Sequence, residues 1–499
     1  MRTFFHLGVK KLLGILLACS FLFSMTGCDI IIINDLTPNN VSESEGTENI
    51  PSAETEYIPV SYTPYQSNGD SYAKAEEYLN TLPMRSFDGN VFFITTPSIE
   101  YIDPDHTENT ISRMVYERNR KIEEKYNISI ITSLADANTI YNETRQAVDS
   151  DVYYTDLVML PLYMTGQFRA ADVLMNLHSL PFINLSAPYF NSESVTMTTA
   201  GYGTYGVAGY ASLSPSAFSA VFFNRDMVKE AGMEKPYSLV VDGTWTWERF
   251  FEYTAAVAEL NGSGENAYHT VAAQSNATRL ADLVFVSCGN SYIRSERKKV
   301  PKIAFSVNSA QYSVSVANRI LSDSNAFVNS SANALKDFAD GNSLFLVEYL
   351  YAIPGLTDSA ADWGVVPLPL ERENDDYRTL VSNNELIFAV PANHTNGEYA
   401  SIILSALNAA SYRYLYEEYV TQTLTYHLRD NDSANMLERI LDSAAFDFSL
   451  AFGNSYPAVA AGTYGLIRDA AVSNDLSARY KKATEAAEAS LTGDFSPEY

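Results

Sequence analysis

Apolar positions along this chain alternate between short unbroken runs and longer stretches with helical spacing. "NVFFITTP" from Asn90 is a run of β-branched and aromatic residues closed by Pro97, the pattern of a buried strand. In "NTISRMVYERNRKIEEKY", Ile111, Met114, Val115 and Ile122 recur near 3.6-residue spacing, and Asn109 or Thr110 stands where a helix cap belongs. "NISIITS" reads as a second strand, residues 138–150 as a polar helix and "TDLVMLP" as a third strand. Strands alternating with helices imply a parallel sheet whose helices cover it, with the loops at the strands' carboxyl ends opening on one edge. A second α/β region begins near Ala211. There "SAVFFNRDMVKEAGM" passes from strand into a short helix ended by Gly232, and Thr246 caps "WERFFEYTAAVAEL", whose Trp247, Phe250, Phe251, Thr254 and Ala258 share a face. Further strands are expected at "SLFLVEYL", "WGVVPLPL" and "ELIFAVP", then a helix at "GEYASIILSALNAAS" with Ile402, Ile403, Ala406 and Ala410 aligned. The rest of the chain reads as helical, and no repeat of fixed period is found.

The amino terminus follows a different logic. From Leu12 to Gly27 the chain is apolar or small, shorter than the roughly 20 residues that a helix needs to span a bilayer. Arg2, Lys10 and Lys11 precede this core and small residues follow it, the layout of a secretory signal over residues 1–27. Its end, Met25-Thr26-Gly27-Cys28, resembles a bacterial lipobox, which would make Cys28 the lipidated first residue of the mature chain, held by acyl chains in the membrane. The alternative is an ordinary signal cut elsewhere, with Cys28 incidental. Residues 28–85 are rich in Asn, Ser, Thr, Glu and Pro and poor in large apolar side chains, so a flexible acidic and polar linker is expected there.

Charge and cysteine content narrow the class. The formal charge is −27. Loss of the signal removes three basic residues and no acidic ones, deepening the balance to about −30, a surface that repels phosphate backbones and makes nucleic acid an improbable partner. The three cysteines are Cys19, Cys28 and Cys288, so the folded region has no disulfide to rely on and needs a large core. About 415 residues follow the linker, enough for two domains.

"FFNRDMVKEAGMEKPYSLVVDGTWTWERFF" carries something more specific. Phe223-Asn224-Arg225-Asp226, Gly232, Pro236 and Thr246-Trp247-Glu248 resemble the recurring pattern of the extracellular solute-binding proteins of ABC importers, family 1, many of which are sugar and oligosaccharide receptors. "TDLVML" with "LMNLHSL", "FADGNSLFLVEYL" before "WGVVPLPL", and "NELIFAVPANHTNGEYASIILSALNAAS" follow in the family's order, over most of residues 90–411. The resemblance implies an α/β, two-lobed periplasmic-binding-protein-like fold of type II, each lobe a sheet flanked by helices, joined by a hinge with multiple chain crossings. On that template residues 86–208 and 382–425 make lobe 1, and residues 209–381 and 426–499 make lobe 2. "YGTYGVAGYASLSP" is the first crossing and "TLVSNNELIFAVP" the return. It further implies a monomer without cofactor or catalytic residues, anchored by lipid on the extracytoplasmic face of a bacterial cell membrane. Such a receptor captures a small solute between its lobes, a sugar or oligosaccharide first and a peptide or polyamine otherwise, and passes it to the transmembrane subunits of the transporter.

Carbohydrate offers flat C–H faces and rings of hydroxyls, so its pockets combine aromatic plates with side chains that bond hydroxyls. The chain has 34 tyrosines, which permits such a pocket. Thr96, Ser98 and Tyr101 follow the first strand and Tyr163 follows the third, so all four are expected at the cleft edge of lobe 1. Tyr210 lies on the first crossing, and Asn383 and Asn384 lie on the return. By similarity to the family, Glu348, Tyr349 and Tyr351 occupy the strand end of lobe 2 where sugar binders present a stacking aromatic. Many relatives have a small residue in place of Glu348-Tyr349, which would narrow the pocket here or select a cationic ligand. Trp247 is expected in the core, while Trp245 and Trp363 stay open.

Other chemistry finds less support. Gly201-Tyr-Gly203-Thr-Tyr-Gly206 matches a dinucleotide-binding spacing without the strand before it or the helix after it, and is expected to form a hairpin. His106, His178, His269, His394 and His427 lack ligand spacing, so no metal site is indicated. Asp430-Asn431-Asp432 lacks the Gly and terminal Glu of a calcium loop and is expected to be a polar turn. A secreted lipoprotein that hydrolyses glycans is the serious rival, since an acidic chain supplies carboxylate pairs, but no spacing singles one out.

Overall fold

Burial on both faces explains why the unbroken apolar runs become strands. In the computed structural model, which describes residues 70–105, 109–261, 268–274, 277–428 and 430–496, the first sheet holds β1 (Asn90–Thr96), β2 (Ile128–Leu134), β3 (Leu157–Pro161) and, much later in the chain, β9 (Leu386–Ala389). Its order is β9-β3-β1-β2. β1 is parallel to both β2 and β3, in register at Asn90 with Ile128 and at Ile94 with Leu157, while β9 runs antiparallel on the edge with Phe388 opposite Met159. Phe92, Ile94, Leu157 and Met159 point into one core with Ile122, Tyr126 and the helix Gly397–Ala409, whereas Val158 and Leu160 point into another with Ile140. Period-two burial on β3 therefore gives each face of the sheet its own apolar layer.

The second sheet is mixed. β4 (Ser219–Asn224), β5 (His269–Gln274), β6 (Phe327–Asn329), β7 (Ser343–Tyr349) and β8 (Trp363–Val366) lie in the order β6-β5-β7-β4-β8. β5 is parallel to β6 and β7, and β4 is antiparallel to β7 and β8. All three tryptophans are core residues. The Trp245 indole donates to the Pro367 carbonyl at 3.0 Å, Trp247 to the Ser287 hydroxyl at 3.2 Å, and Trp363 to the Leu356 carbonyl at 3.1 Å, so each ring is buried without stranding its N–H. Phe250 stacks on Phe345 with ring centroids 4.4 Å apart, which seats the helix Trp247–Asn261 on the sheet.

Two crossings join the halves side by side. Val207 still bridges Phe388 of β9, and further along Phe218 bridges Val381 on the return segment. The Ser382 amide donates to the Ala217 carbonyl at 2.9 Å, and the Leu350 amide donates to the Phe218 carbonyl at 2.8 Å just after β7. A third passage follows the helix Tyr414–Tyr426, which packs on the helix Thr110–Tyr126, and leads to the helix Asn431–Asp442, which packs on β8.

Several expectations need correction. The linker does not extend to residue 85, because Asp70–Thr81 is a helix that buries Ser71, Ala75 and Leu79 at four-residue intervals. Averaging composition over a long polar stretch hid that short stripe. The segment after residue 426 is not confined to the second half. Arg169, beyond β3, donates to the Tyr456 hydroxyl at 3.1 Å and lies 4.9 Å from the Phe495 ring centroid, so the carboxyl-terminal helices also pack on the first half. Asp430 is no turn residue, since its carboxylate caps the helix Asn431–Asp442 by accepting from the Ser433 amide at 2.8 Å, and it pairs with Arg225. The glycine-rich spacing does form the expected hairpin, Thr199–Ala200 against Gly203–Thr204, with Gly201 at φ +62° in its turn. The signal, Cys28 and most of the linker lie outside the described residues.

Candidate functional site

The carboxyl ends of β1 and β3 face the two crossings, and a cavity of about 320 Å³ opens where they meet. The loop after β1 supplies Ser98, Glu100, Tyr101 and Ile102, β3 supplies Met159 and Pro161, and the crossings supply Ser212, Ser214 and Ser216 on one side and Asn384, Glu385 and Leu386 on the other. Its polar lining is therefore hydroxyls, one side-chain amide and two carboxyl groups. No Lys, Arg or His is among the lining residues.

Local hydrogen bonds hold this lining in place. The Thr96 hydroxyl donates to the Ser98 carbonyl at 2.7 Å and accepts from the Ser98 amide at 3.2 Å, which turns the chain sharply out of β1. Thr96 is fully buried and shapes the loop from behind the cavity. Tyr101 is also buried, packed with Ile111, Val115, Tyr414 and Leu415, and the Ser214 hydroxyl hydrogen-bonds its phenol across the hinge. Burial pushes that phenol well above its usual pKa. Ser214 and Ser216 hydroxyls lie 2.7 Å apart, and Ser212 accepts from the Gly209 amide at 3.2 Å.

Glu385 is the residue that sequence reasoning missed. It is 7% exposed, and its carboxyl accepts from its neighbour's amide, Leu386, at 3.1 Å and from the Ser214 backbone on the opposite crossing. Burial without a cation raises its pKa to about 8, with the two amides opposing and Glu100 adding to the rise. A polar residue beside Asn383 and Asn384 on a loop gives no local sign of this. Its burial comes from a segment some 170 residues earlier in the chain.

Of the expected site residues, the structure brings Ser98, Tyr101 and Asn384 together at the cavity. Tyr163 and Asn383 meet through the backbone, the Tyr163 amide donating to the Asn383 carbonyl at 3.0 Å, and neither lines the cavity. Tyr210 does not line this cavity. Its ring stands edge-on to Tyr412 and Tyr416 at 5.2 and 5.0 Å, and burial lifts its hydroxyl to about 12.

Glu348, Tyr349 and Tyr351 form a separate cluster at the end of β7, beside the first crossing. Glu348 accepts from Arg279 at 3.2 Å, from the Tyr351 hydroxyl at 2.8 Å, from the Tyr349 amide at 3.0 Å and from the Ser331 hydroxyl at 2.5 Å. Both carboxylate oxygens are thus occupied, and Arg279 balances the charge of Glu348. Arg279 is the second residue the sequence did not reveal. The Tyr349 and Tyr351 rings stack at 5.7 Å with 22° between planes, and Tyr351 is 43% exposed, the outer plate of the pair. Among the described residues no group of three His, Cys, Asp or Glu side chains is placed to hold a metal ion, and no helix is long and apolar enough to cross a membrane.

Comparison with known proteins bears on this arrangement. The family described as bacterial extracellular solute-binding protein matches residues 118–426. No curated protein matches the sequence. Among solved structures, the fold is similar to a cyclo/maltodextrin-binding protein complexed with maltotetraose, at 13% identity over 81% of this chain and 97% of that one, with a TM-score of 0.53. It is also similar to RafE from Streptococcus pneumoniae in its apo form, at 13% identity over 81% of this chain and 98% of that one, with a TM-score of 0.52.

Proposed function

Because this chain belongs to the family of bacterial extracellular solute-binding proteins, we propose that it captures a sugar or oligosaccharide in the cavity at the hinge and presents it to the transmembrane subunits of an ABC importer. The observation that carries this reading is the cavity itself, framed by the carboxyl ends of β1 and β3 and by both crossings, and lined by hydroxyl, amide and carboxyl groups without a positive charge. That polarity suits the ring hydroxyls of a saccharide, each of which both donates and accepts. A structural neighbour that binds maltotetraose supports the same ligand class.

Recognition proceeds through residues of both halves. Ser98 and Asn384 contact hydroxyls from the first half and Tyr101 lines the cavity wall; Tyr351, stacked on Tyr349 outside this cavity, would offer an aromatic plate from the second half once the halves approach. A ligand that touches both walls favours the closed arrangement by the free energy of its interactions with the second wall, and the permease then distinguishes a loaded receptor from an empty one. Acyl groups on Cys28 would keep the receptor at the extracytoplasmic face of the membrane.

A thermal-shift screen of maltodextrin, raffinose-type and cellodextrin oligomers tests this reading, followed by small-angle scattering with any hit. Expected are an upward shift that grows with ligand concentration, no turnover, and a smaller radius of gyration in the complex. Failure of every saccharide, neutral or amino-bearing, to stabilise the protein refutes the ligand class, and unchanged dimensions refute closure. The same incubations address the hydrolase reading, which the presence of Glu100 and Glu385 in one cavity keeps in play, because product formation would decide for it. Mass spectrometry of the mature amino-terminal peptide reads the anchor directly, and a Cys28→Ser chain should be released into the medium.

A further inference from the structure

A carboxyl group taken out of water and given no positive partner favours its protonated form, unless hydrogen-bond donors outweigh the cost of burial or a cation arrives from outside. Glu385 is in that position. It lines the cavity, it is nine-tenths buried, and its hydrogen bonds come from the backbone amides of Leu386 and Ser214. The titratable groups that face it are Glu100 and Tyr101 from the loop after β1 and Tyr416 from the helix Tyr414–Tyr426, and none of them carries positive charge. The Tyr416 hydroxyl is itself buried without a hydrogen-bond partner. Arg279, the cation at the end of β7, is committed to Glu348.

An anionic guest would meet Glu100 and Glu385 with no cation in the lining to receive it, inside a chain whose formal charge is −27. A neutral guest would leave Glu385 protonated. A guest with an ammonium group would convert the same carboxyl into one half of a buried, hydrogen-bonded ion pair. We infer that the cavity takes an amine-bearing solute, an amino sugar or an oligosaccharide with a free amino group, whose ammonium sits against Glu385 while its hydroxyls engage Ser98, Ser212, Ser214, Ser216 and Asn384. This inference rests on the reading of the cavity as the ligand site. At pH 6 the empty cavity keeps the Glu385 proton, since burial holds its pKa at about 8, and an arriving ammonium expels that proton to solvent.

The test uses the full-length protein and β-1,4-linked glucosamine oligomers, with glucose oligomers of the same linkage and N-acetylglucosamine oligomers as neutral counterparts, and spermidine as an amine without a sugar. Calorimetric titrations at pH 6 in buffers of different ionisation enthalpy read affinity and proton release together. Expected is a preference of roughly tenfold to a hundredfold for the glucosamine series, the worth of a charge-assisted hydrogen bond, with about one proton released per ligand bound. Glu385→Gln should abolish both the preference and the proton release. The proton count on the unaltered protein keeps the inference falsifiable if that variant fails to fold. Neutral oligomers binding as tightly as amino ones, with no proton released, would overturn the inference and leave saccharide capture standing. Spermidine binding alone would support the amine and sink the sugar, while binding of no probe would overturn both.

Discussion

Replacing Glu385 by Gln turns the hinge carboxyl into a permanent mimic of its protonated form, and the consequence for stability has a definite sign. The folded pKa, about 8, lies above the ordinary value of 4.5, so between those limits the native state binds a proton that the unfolded chain has lost. Stability contributed by this group is therefore greatest at low pH and falls as pH rises through that window. Linkage gives a disadvantage of the wild type relative to Glu385→Gln of about 1 kcal/mol at pH 5, about 3 at pH 6.5 and about 4 at pH 8, flattening above. Asp447, which burial raises to about 6, and Asp282, also raised by burial, titrate in both proteins and cancel in the difference. Urea unfolding of the two proteins at those three pH values measures it. A difference that stays level, or that moves in favour of the wild type as pH rises, would refute a neutral buried acid at the hinge. It would mean that Glu385 is already ionised in the native state and balanced by some other group.

The remaining predictions concern packing, an ion pair and the second wall. Gly166→Ala places a Cβ 2.6 Å from the Phe452 carbonyl oxygen and 2.8 Å from its Cα, so it should cost about 1–3 kcal/mol in urea unfolding, whereas Gly493→Ala, with nothing within 4 Å, should be neutral or stabilising by up to about 1 kcal/mol. Arg468→Ala leaves Asp282 buried without its bidentate partner and should cost about 3–5 kcal/mol, and a double-mutant cycle with Asp282→Asn should recover part of it; strict additivity would refute the coupling. Tyr351→Phe keeps the ring that stacks on Tyr349 and should change saccharide affinity less than about threefold, while Tyr351→Ala removes the plate and should weaken it about tenfold or more, as calorimetry would show.

Elements that bury one face were legible in the sequence because their side chains repeat at the period of the backbone. Phe92 and Ile94 on β1, Leu157 and Met159 on β3, and Ile111, Val115 and Ile122 on the following helix announce their faces without outside help. β5 and β6 escaped notice for the opposite reason. "HTVAAQ" is short and rich in small residues, and "FVN" is three residues inside a polar stretch, so their strand identity comes from β7, which pairs with β5 and thereby orders both. The helix Asp70–Thr81 likewise shows itself only through a three-residue stripe that a composition average erases.

The candidate site divides along the same line. Ser98 and Tyr101 could be placed because the loops after parallel strands have a known destination, and Asn384 because the return crossing was recognisable. What Glu348 does was not readable, since its character depends on Arg279 from a helix some 70 residues earlier. Nor was the burial of Glu385, which is produced by Ser212, Ser214 and Ser216 on a crossing that touches it only in the folded chain. Charge in this protein is thus assigned by tertiary pairing. A carboxylate that looks available is neutralised, and one that looks like an ordinary loop residue is left without a cation. Because the second of these sits where the two crossings bind each other through Ser382 and Ala217, a guest that draws it into an ion pair also acts on the segments that must bend for the halves to approach. Ligand chemistry and domain closure then share the same few residues, and a substitution at Glu385 should alter affinity and scattering dimensions together.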